Sequence, residues 1–297
     1  MGFEFCHPAV NFIFFAAVIW GAVSFDHPLF LVVTFLCACA YSIKKNGKKA
    51  LFFAICLLPF VLLFALYYSS YNHFGVTVLK HNFVGNNLTV ESLVYGIALG
   101  ISVAAVLLWL SCLFKIMTTD KIVYLFSKLS PKLSLLLTIL LRLWPRIKNE
   151  ARRINSARQG IGRGVNQGTA FEKVKNGLSI FSMLISWIIG ALATLSGAMK
   201  SRGSTLRGRT AYSIYRFDNR DRAFVLCQFF CLTLTAMAVI LKFTTMVYDP
   251  KIIWKEPTAL SMVFCIAYML FCLMPLMLEL WTEYQFRKAR NQAWNKL

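Results

Sequence analysis

The sequence predicts an all-α polytopic membrane protein, and three observations support that fold class. Hydrophobic residues make up 58% of the 297 residues and charged residues only 15%, whereas a soluble domain carries about 25% charged residues. Mean hydropathy is +0.61. Several uncharged runs reach roughly 20 residues, the length that crosses the hydrocarbon core of a bilayer as a helix. The 32 lysines and arginines outnumber the 12 acidic residues and are unevenly distributed.

Uncharged runs along the chain mark the candidate membrane spans. Shorter apolar segments, such as Leu133 to Leu141, are too brief to span alone. The seven longer runs are Phe5 to Phe25, His27 to Ile43, Ala50 to Leu79, Ser92 to Phe114, Asn176 to Met199, Ala223 to Leu241 and Pro257 to Leu278.

The lysines and arginines predict how these runs are oriented, because short cytoplasmic loops carry an excess of basic residues. The loop Lys44 to Lys49 holds four lysines and is expected inside the cell. The connection from Tyr71 to Glu91 contains only Lys80 and is expected outside. The stretch from Lys115 to Lys175 holds 13 basic residues and is expected inside again.

The run Asn176 to Met199 is the one that this topology excludes as a span. If it crossed the membrane, the segment Lys200 to Arg222 with its seven basic residues would lie outside. Without it, six spans remain, both termini are cytoplasmic, and 28 of the 32 basic residues lie inside. A re-entrant pair formed with Leu133 to Leu143 satisfies the same charge distribution.

This topology divides the chain into four parts. They are a membrane domain of four spans (1–114), a basic helical segment at the cytoplasmic face or membrane interface (115–222), two further spans (223–281) and a basic cytoplasmic tail (282–297). The apolar helix in the second part must bury its surface against the membrane, the other helices or a partner. Lys242, Glu279 and Glu283 lie near span ends and are expected to snorkel to the interface.

Two segments with similar endings occur within the basic segment. The segment 144–160 begins with Pro145, a residue suited to a first helical turn, and stops at Gly160. The segment 192–203 stops at Gly203, so that each expected helix ends with a small residue, an arginine and a glycine. One interpretation is that such an arginine only interacts favourably with the negative end of the helix dipole. Alternatively, beside a small neighbour, its guanidinium stays exposed and can form bidentate bonds to a partner's carboxylate.

These motifs resemble those of the transmembrane T component of energy-coupling factor transporters. Ala157-Arg158-Gln159 resembles the family's first Ala-Arg-Gly motif, and Ser201-Arg202-Gly203 resembles the second. The resemblance implies that each motif docks into one of two ABC-type ATPase subunits. It also implies a separate substrate-binding S subunit, uptake of a vitamin or other micronutrient, and a prokaryotic plasma membrane. The chain itself would then bind no substrate and catalyse no reaction.

Other functions receive less support from the sequence. The glycine-rich run Gly160 to Gly164 follows no strand and precedes no Gly-Lys-Ser/Thr, so no nucleotide or other cofactor is predicted. His7 and His27 each precede a proline at an expected helix start, and no ligand spacing predicts a metal. The basic segment lacks the interleaved aromatics of a nucleic-acid-binding surface. The remaining alternative is a stand-alone solute carrier or membrane enzyme whose basic loop only anchors it to the bilayer.

Overall fold

A computed structural model describes residues 2–72, 74–81, 87–204, 206, 215–253 and 258–294, and about 82% of these described residues are helical. The chain divides into two compact units. The first unit comprises Met1–Thr118 and Tyr215–Leu297, and the second comprises Thr119–Ile214. The predicted domain boundaries at 115 and 222 enclose the second unit.

The described part of the first unit is built from long helices and one small hairpin. A 3-10 turn, Phe3–Phe5, precedes the first helix. Strands β1 (Val78–His81) and β2 (Asn87–Thr89) pair antiparallel in a short hairpin, and the predominantly helical fold is consistent with the predicted all-α polytopic class. The helices are α1 (Pro8–Ser24), α2 (Pro28–Asn46), α3 (Lys48–Tyr71), α4 (Val90–Ile116), α8 (Asn219–Ile240) and α9 (Ala259–Trp294).

Histidine–proline pairs start the first two helices, as the sequence indicates. The imidazole Nδ1 of His7 accepts the backbone N–H of Ala9 at 3.3 Å, and His27 Nδ1 accepts that of Leu29 at 3.3 Å. Each following proline is the first helical residue, where its missing N–H costs no hydrogen bond. Both histidines therefore act as helix N-caps.

Two of the predicted spans are clearly shorter in the structure than the uncharged runs that predict them. The run Phe5 to Phe25 yields only the 17 residues of α1, because the chain enters through a 3-10 turn. The run Ala50 to Leu79 is wrong at its end, since α3 stops at Tyr71 and Asn72 adopts an extended conformation. The apolar residues continue into β1, where they belong to the hairpin and not to the helix.

Among the described residues, six helices are long and apolar enough to cross a membrane, which supports a multi-pass membrane protein. They are not the six that the charge pattern selects, because α1 is shorter than the others and α7 (Ala170–Ser201) qualifies. Length and apolarity thus do not separate α7 from the spans. Its exclusion as a span depends on the basic residues at both its ends and stays a prediction.

Aromatic side chains form the core of the first unit. The ring of Phe14 lies 5.4 Å from Phe3, 5.9 Å from Trp109 and 5.2 Å from Phe271. These rings come from the N-terminal turn and from α1, α4 and α9, so a single cluster joins elements from both ends of the chain. Phe224 extends the cluster to α8.

Two glycines allow α3 and α4 to approach closely. A Cβ atom at Gly96 would lie 3.0 Å from the backbone of Ala65, and one at Gly100 would lie 3.0 Å from the side chain of Val61. Small residues four positions apart are a common contact between membrane helices, because association there depends on close packing.

The second unit contains α5 (Thr119–Leu129), α6 (Pro131–Gly160) and α7. The prediction that Pro145 lies in a first turn is wrong: Pro131 occupies that position and Pro145 lies inside a continuous 30-residue helix. The apolar segment that was too short to span alone is the first part of α6. At the start of α7, Thr169 and Glu172 form a capping box.

Candidate functional site

The residues predicted to dock ATPases lie at two helix ends in the second unit. Ala157, Arg158 and Gln159 occupy the last turn of α6, which ends at Gly160 as predicted. Ser201 is the last residue of α7, and Arg202 is its C-cap. Gly203 follows with a φ of +73°.

Both helices end with a Schellman motif, in which two amides after the cap bond back to carbonyls of the last turn. At the end of α6, Gly162 N donates to Gln159 O at 3.1 Å and Arg163 N to Arg158 O at 2.9 Å. At the end of α7, Gly203 N donates to Lys200 O at 3.0 Å and Ser204 N to Met199 O at 3.1 Å.

The left-handed glycine of the first motif is Gly162 and not Gly160. Gly162 has a φ of +70°, whereas Gly160 is helical. When the two motifs are aligned on their left-handed glycines, Ile161 corresponds to Arg202. Arg158 lies three positions before that cap, so the two arginines do not occupy equivalent places on their helix ends.

The two arginine side chains also have different surroundings. Arg158 is partly buried, its Nε donates to Arg163 O at 3.3 Å, and its Nη1 approaches Met183 Sδ at 3.9 Å. It therefore ties the end of α6 to the following loop and to α7. Arg202 is exposed. Arg202 has the exposed guanidinium that was predicted for both motifs, whereas Arg158 is only partly exposed.

The loop between α6 and α7 is closed onto its own helices. Val165 N donates to Asn155 Oδ1 at 3.1 Å, and Asn176 Nδ2 donates to Gly164 O at 3.2 Å. The backbone amides of residues 161–165 all donate to groups within this unit. A phosphate loop needs several such amides for its ligand, whereas these amides are used to hold the loop against its own helices.

Helix α7 presents an apolar stripe. The exposed side chains of Leu178, Phe181, Ile185 and Ile189 recur every three to four residues, which places them on one face of the helix. A face of this kind is stable only against lipid or another protein. The stripe and the two arginine ends belong to the same unit.

A cluster of charges in the first unit was missed by the sequence reasoning. Lys45 Nζ lies 2.6 Å from Glu4 Oε1 and 2.7 Å from Glu279 Oε1. Tyr41 donates its hydroxyl to Glu279 Oε1 at 3.3 Å. The side chains of Lys45 and Glu279 are only 10% and 8% exposed, so the expectation that Glu279 snorkels to the interface is wrong.

The neighbouring charges form a contrasting pair. Lys44 Nζ lies 2.7 Å from Glu283 Oε1, and these side chains are 31% and 46% exposed. The available signals were a basic residue two positions before the end of α2 and a glutamate on a later helix, α9. Their pairing depends on how α2 and α9 pack, which hydropathy does not encode.

In the described part of the chain, no three His, Cys, Asp or Glu side chains are grouped so as to hold a metal ion. The sequence was compared with known protein families and with curated proteins, and neither comparison found a match.

Proposed function

We propose that the chain is the transmembrane coupling subunit of an energy-coupling factor importer. In this role it transmits the ATP-driven movement of two ABC-type ATPase subunits to a substrate-binding S subunit that takes up a vitamin or other micronutrient. The observation that carries the proposal is the pair of arginine-bearing helix ends in one compact unit, at Arg158 and Arg202. The proposal places the protein in a prokaryotic plasma membrane with both termini in the cytoplasm.

Two helix ends that share a Schellman motif and carry an arginine at or near the cap are suited to two partner subunits. Each end combines a guanidinium with small or polar neighbours, Ala157 and Gln159 at one and Ser201 and Gly203 at the other. A guanidinium binds carboxylates bidentately, which favours it in a groove of a partner protein. Movement of the partners would shift α6 and α7 as packed helices, and the apolar stripe of α7 would carry that shift to the S subunit.

The experiment is a mild-detergent pull-down of the tagged chain, with mass spectrometry of the proteins that accompany it. Wild type is expected to retain two ABC-type ATPases and a small hydrophobic subunit. The double variant R158E/R202E is expected to lose the ATPases and to stay inserted in the membrane, because reversed charges repel the acidic groups that bind arginine.

The matched control is K288E/R290E, which makes the same change in net charge on exposed positions of α9. It is expected to retain both ATPases. Retention of ATPases and normal uptake by R158E/R202E would reject the docking role of these arginines. A wild-type chain that purifies without partners would favour a stand-alone protein.

A stand-alone solute carrier or membrane enzyme remains the second candidate, and the Lys45–Glu279 cluster is the observation that favours it. Carriers commonly use intramembrane charges. The cluster lies at the end of α2, however, and its lysine is already held by two carboxylates. The other buried carboxylates of this unit, Glu91 and Asp221, lie in the first turns of α4 and α8. Glu279 lies within α9 but pairs with the end of α2, so the described buried charges do not mark a path through the middle of the bundle.

A further inference from the structure

An open basic cavity lies where α2 passes into α3, beside the end of α4. Its volume is about 650 Å³. Of the described residues that line it, three are lysines and none is acidic. The lining residues are Asn46, Lys48, Lys49, Ala50, Phe53, Ser111 and Lys115.

The lysines of this cavity differ from their neighbours in sequence. Lys44 and Lys45 are paired with glutamates. Within the described residues, no carboxylate lies within ion-pair distance of Lys48, Lys49 or Lys115. Unpaired like charges around one cavity repel one another, and an anion bound among them relieves that repulsion.

The backbone and polar side chains add to the same preference. Helix α3 begins at Lys48 without a side-chain cap, so the positive end of its dipole and its first amides adjoin the cavity. Asn46 donates to Ser111 Oγ at 3.0 Å, which fixes two polar groups on the cavity wall. Lys115 Nζ donates to Lys45 O, which holds this ammonium at the end of α2.

The apolar part of the lining indicates which anion is bound. Phe53 lies one turn beyond Lys49 on α3, and the exposed side chain of Phe60 continues the apolar surface two turns further on the same face. Helix α3 is itself one of the helices apolar enough to span a bilayer. A ligand with a phosphate head and hydrocarbon chains would satisfy both halves of the site, whereas a free phosphate would satisfy only the polar half.

We propose that this cavity binds the phosphate headgroup of an anionic phospholipid, with the acyl chains lying along α3. The proposal does not depend on the transport role, because it uses only residues of the first unit. Basic residues next to a span gain about 1 kcal/mol each from anionic lipid. Loss of two lysines is therefore expected to weaken binding by about 30-fold.

The test is native mass spectrometry of the full chain in a neutral detergent, titrated with phosphatidylglycerol or phosphatidylcholine. Wild type is expected to retain one phosphatidylglycerol much more tightly than phosphatidylcholine. The variant K48Q/K49Q is expected to lose this preference, and K48R/K49R to keep it. Both positions are exposed, and the unfolding temperature of each variant checks that the fold is intact.

Two controls separate this site from other sources of binding. The variant K173Q/K175Q removes the same charge from exposed positions on α7 and is expected to bind phosphatidylglycerol as wild type does. Inorganic phosphate in tenfold excess is expected to leave the lipid bound. Equal weakening in K173Q/K175Q, equal affinity for the two lipids, or displacement by phosphate would each overturn the proposal.

Discussion

Lys45 and Lys44 are adjacent in sequence but lie in different electrostatic surroundings. Lys45 is almost enclosed and bridges Glu4 and Glu279, whereas Lys44 forms an exposed pair with Glu283. Removing one partner of a buried ion pair leaves an uncompensated charge in a poorly solvated place. An exposed pair contributes little, because water and salt screen it.

We therefore expect Lys45→Met to lower the free energy of unfolding by about 3–5 kcal/mol and Lys44→Met by no more than about 1 kcal/mol. Denaturant unfolding of the two variants in the same detergent measures the difference. Equal losses would mean that Lys45 does not hold a desolvated network.

The residue-scale features that sequence reasoning captured are local ones. Each N-capping histidine could be predicted because a proline directly follows it at a helix start. The role of Glu279 could not be predicted, because its partners Lys45 and Tyr41 are distant in sequence. A charge near a span end has the same local pattern whether it reaches water or a buried lysine.

At the scale of single elements, the sequence predicted where α6 and α7 end, but not how the two arginine motifs correspond. A glycine-rich ending predicted that each helix stops, and both stop there. The run Gly160-Ile161-Gly162 offers two glycines that can adopt a left-handed conformation, and the hydrogen bonds of the last turn select the second. The apparent repeat of small residue, arginine and glycine therefore hides a shift of three positions between the arginines.

The contact of α3 with α4 gives a further prediction. Gly96→Ala is expected to destabilise the protein by about 1–3 kcal/mol, because the added Cβ meets the backbone of Ala65 and the helices must separate. Gly190→Ala in α7 is the control, since a Cβ there meets nothing within 4 Å.

This control is expected to be neutral or to stabilise by up to about 1 kcal/mol, through the higher helix propensity of alanine. Unfolding midpoints of the two variants measure the contrast. A loss of stability in both, of similar size, would indicate a general intolerance of alanine and not a close helix contact.

At the scale of the whole molecule, composition predicted the fold class well and helix bounds less well. All seven uncharged runs form helices, because each is long and free of charge. Their ends depend on turns and caps that hydropathy does not register, as at Tyr71, where apolar residues continue past the helix into β1. Whether α7 crosses the membrane depends on charge placement, which length and apolarity leave undecided.

Fusions to a fluorescent protein that matures only in the cytoplasm test this topology. Chains ending after Asn46 or Gly164 are expected to be fluorescent, and chains ending after Tyr71 or Val247 dark, because basic loops stay inside. The decisive fusion follows Ser204. Fluorescence there agrees with an α7 that does not cross, whereas a dark product would make it a span and place its arginine end outside the cell.

The turn Phe3–Phe5 has a consequence for folding during synthesis. Phe3 is fully buried, and Glu4 shares Lys45 with Glu279 of α9. This turn and α2 therefore complete their shared contacts only after α9 has been synthesised. Until then the bundle is incomplete, and the Lys45 cluster lacks Glu279. A product that stops before α9 is expected to leave the turn Phe3–Phe5 exposed to quality-control proteases.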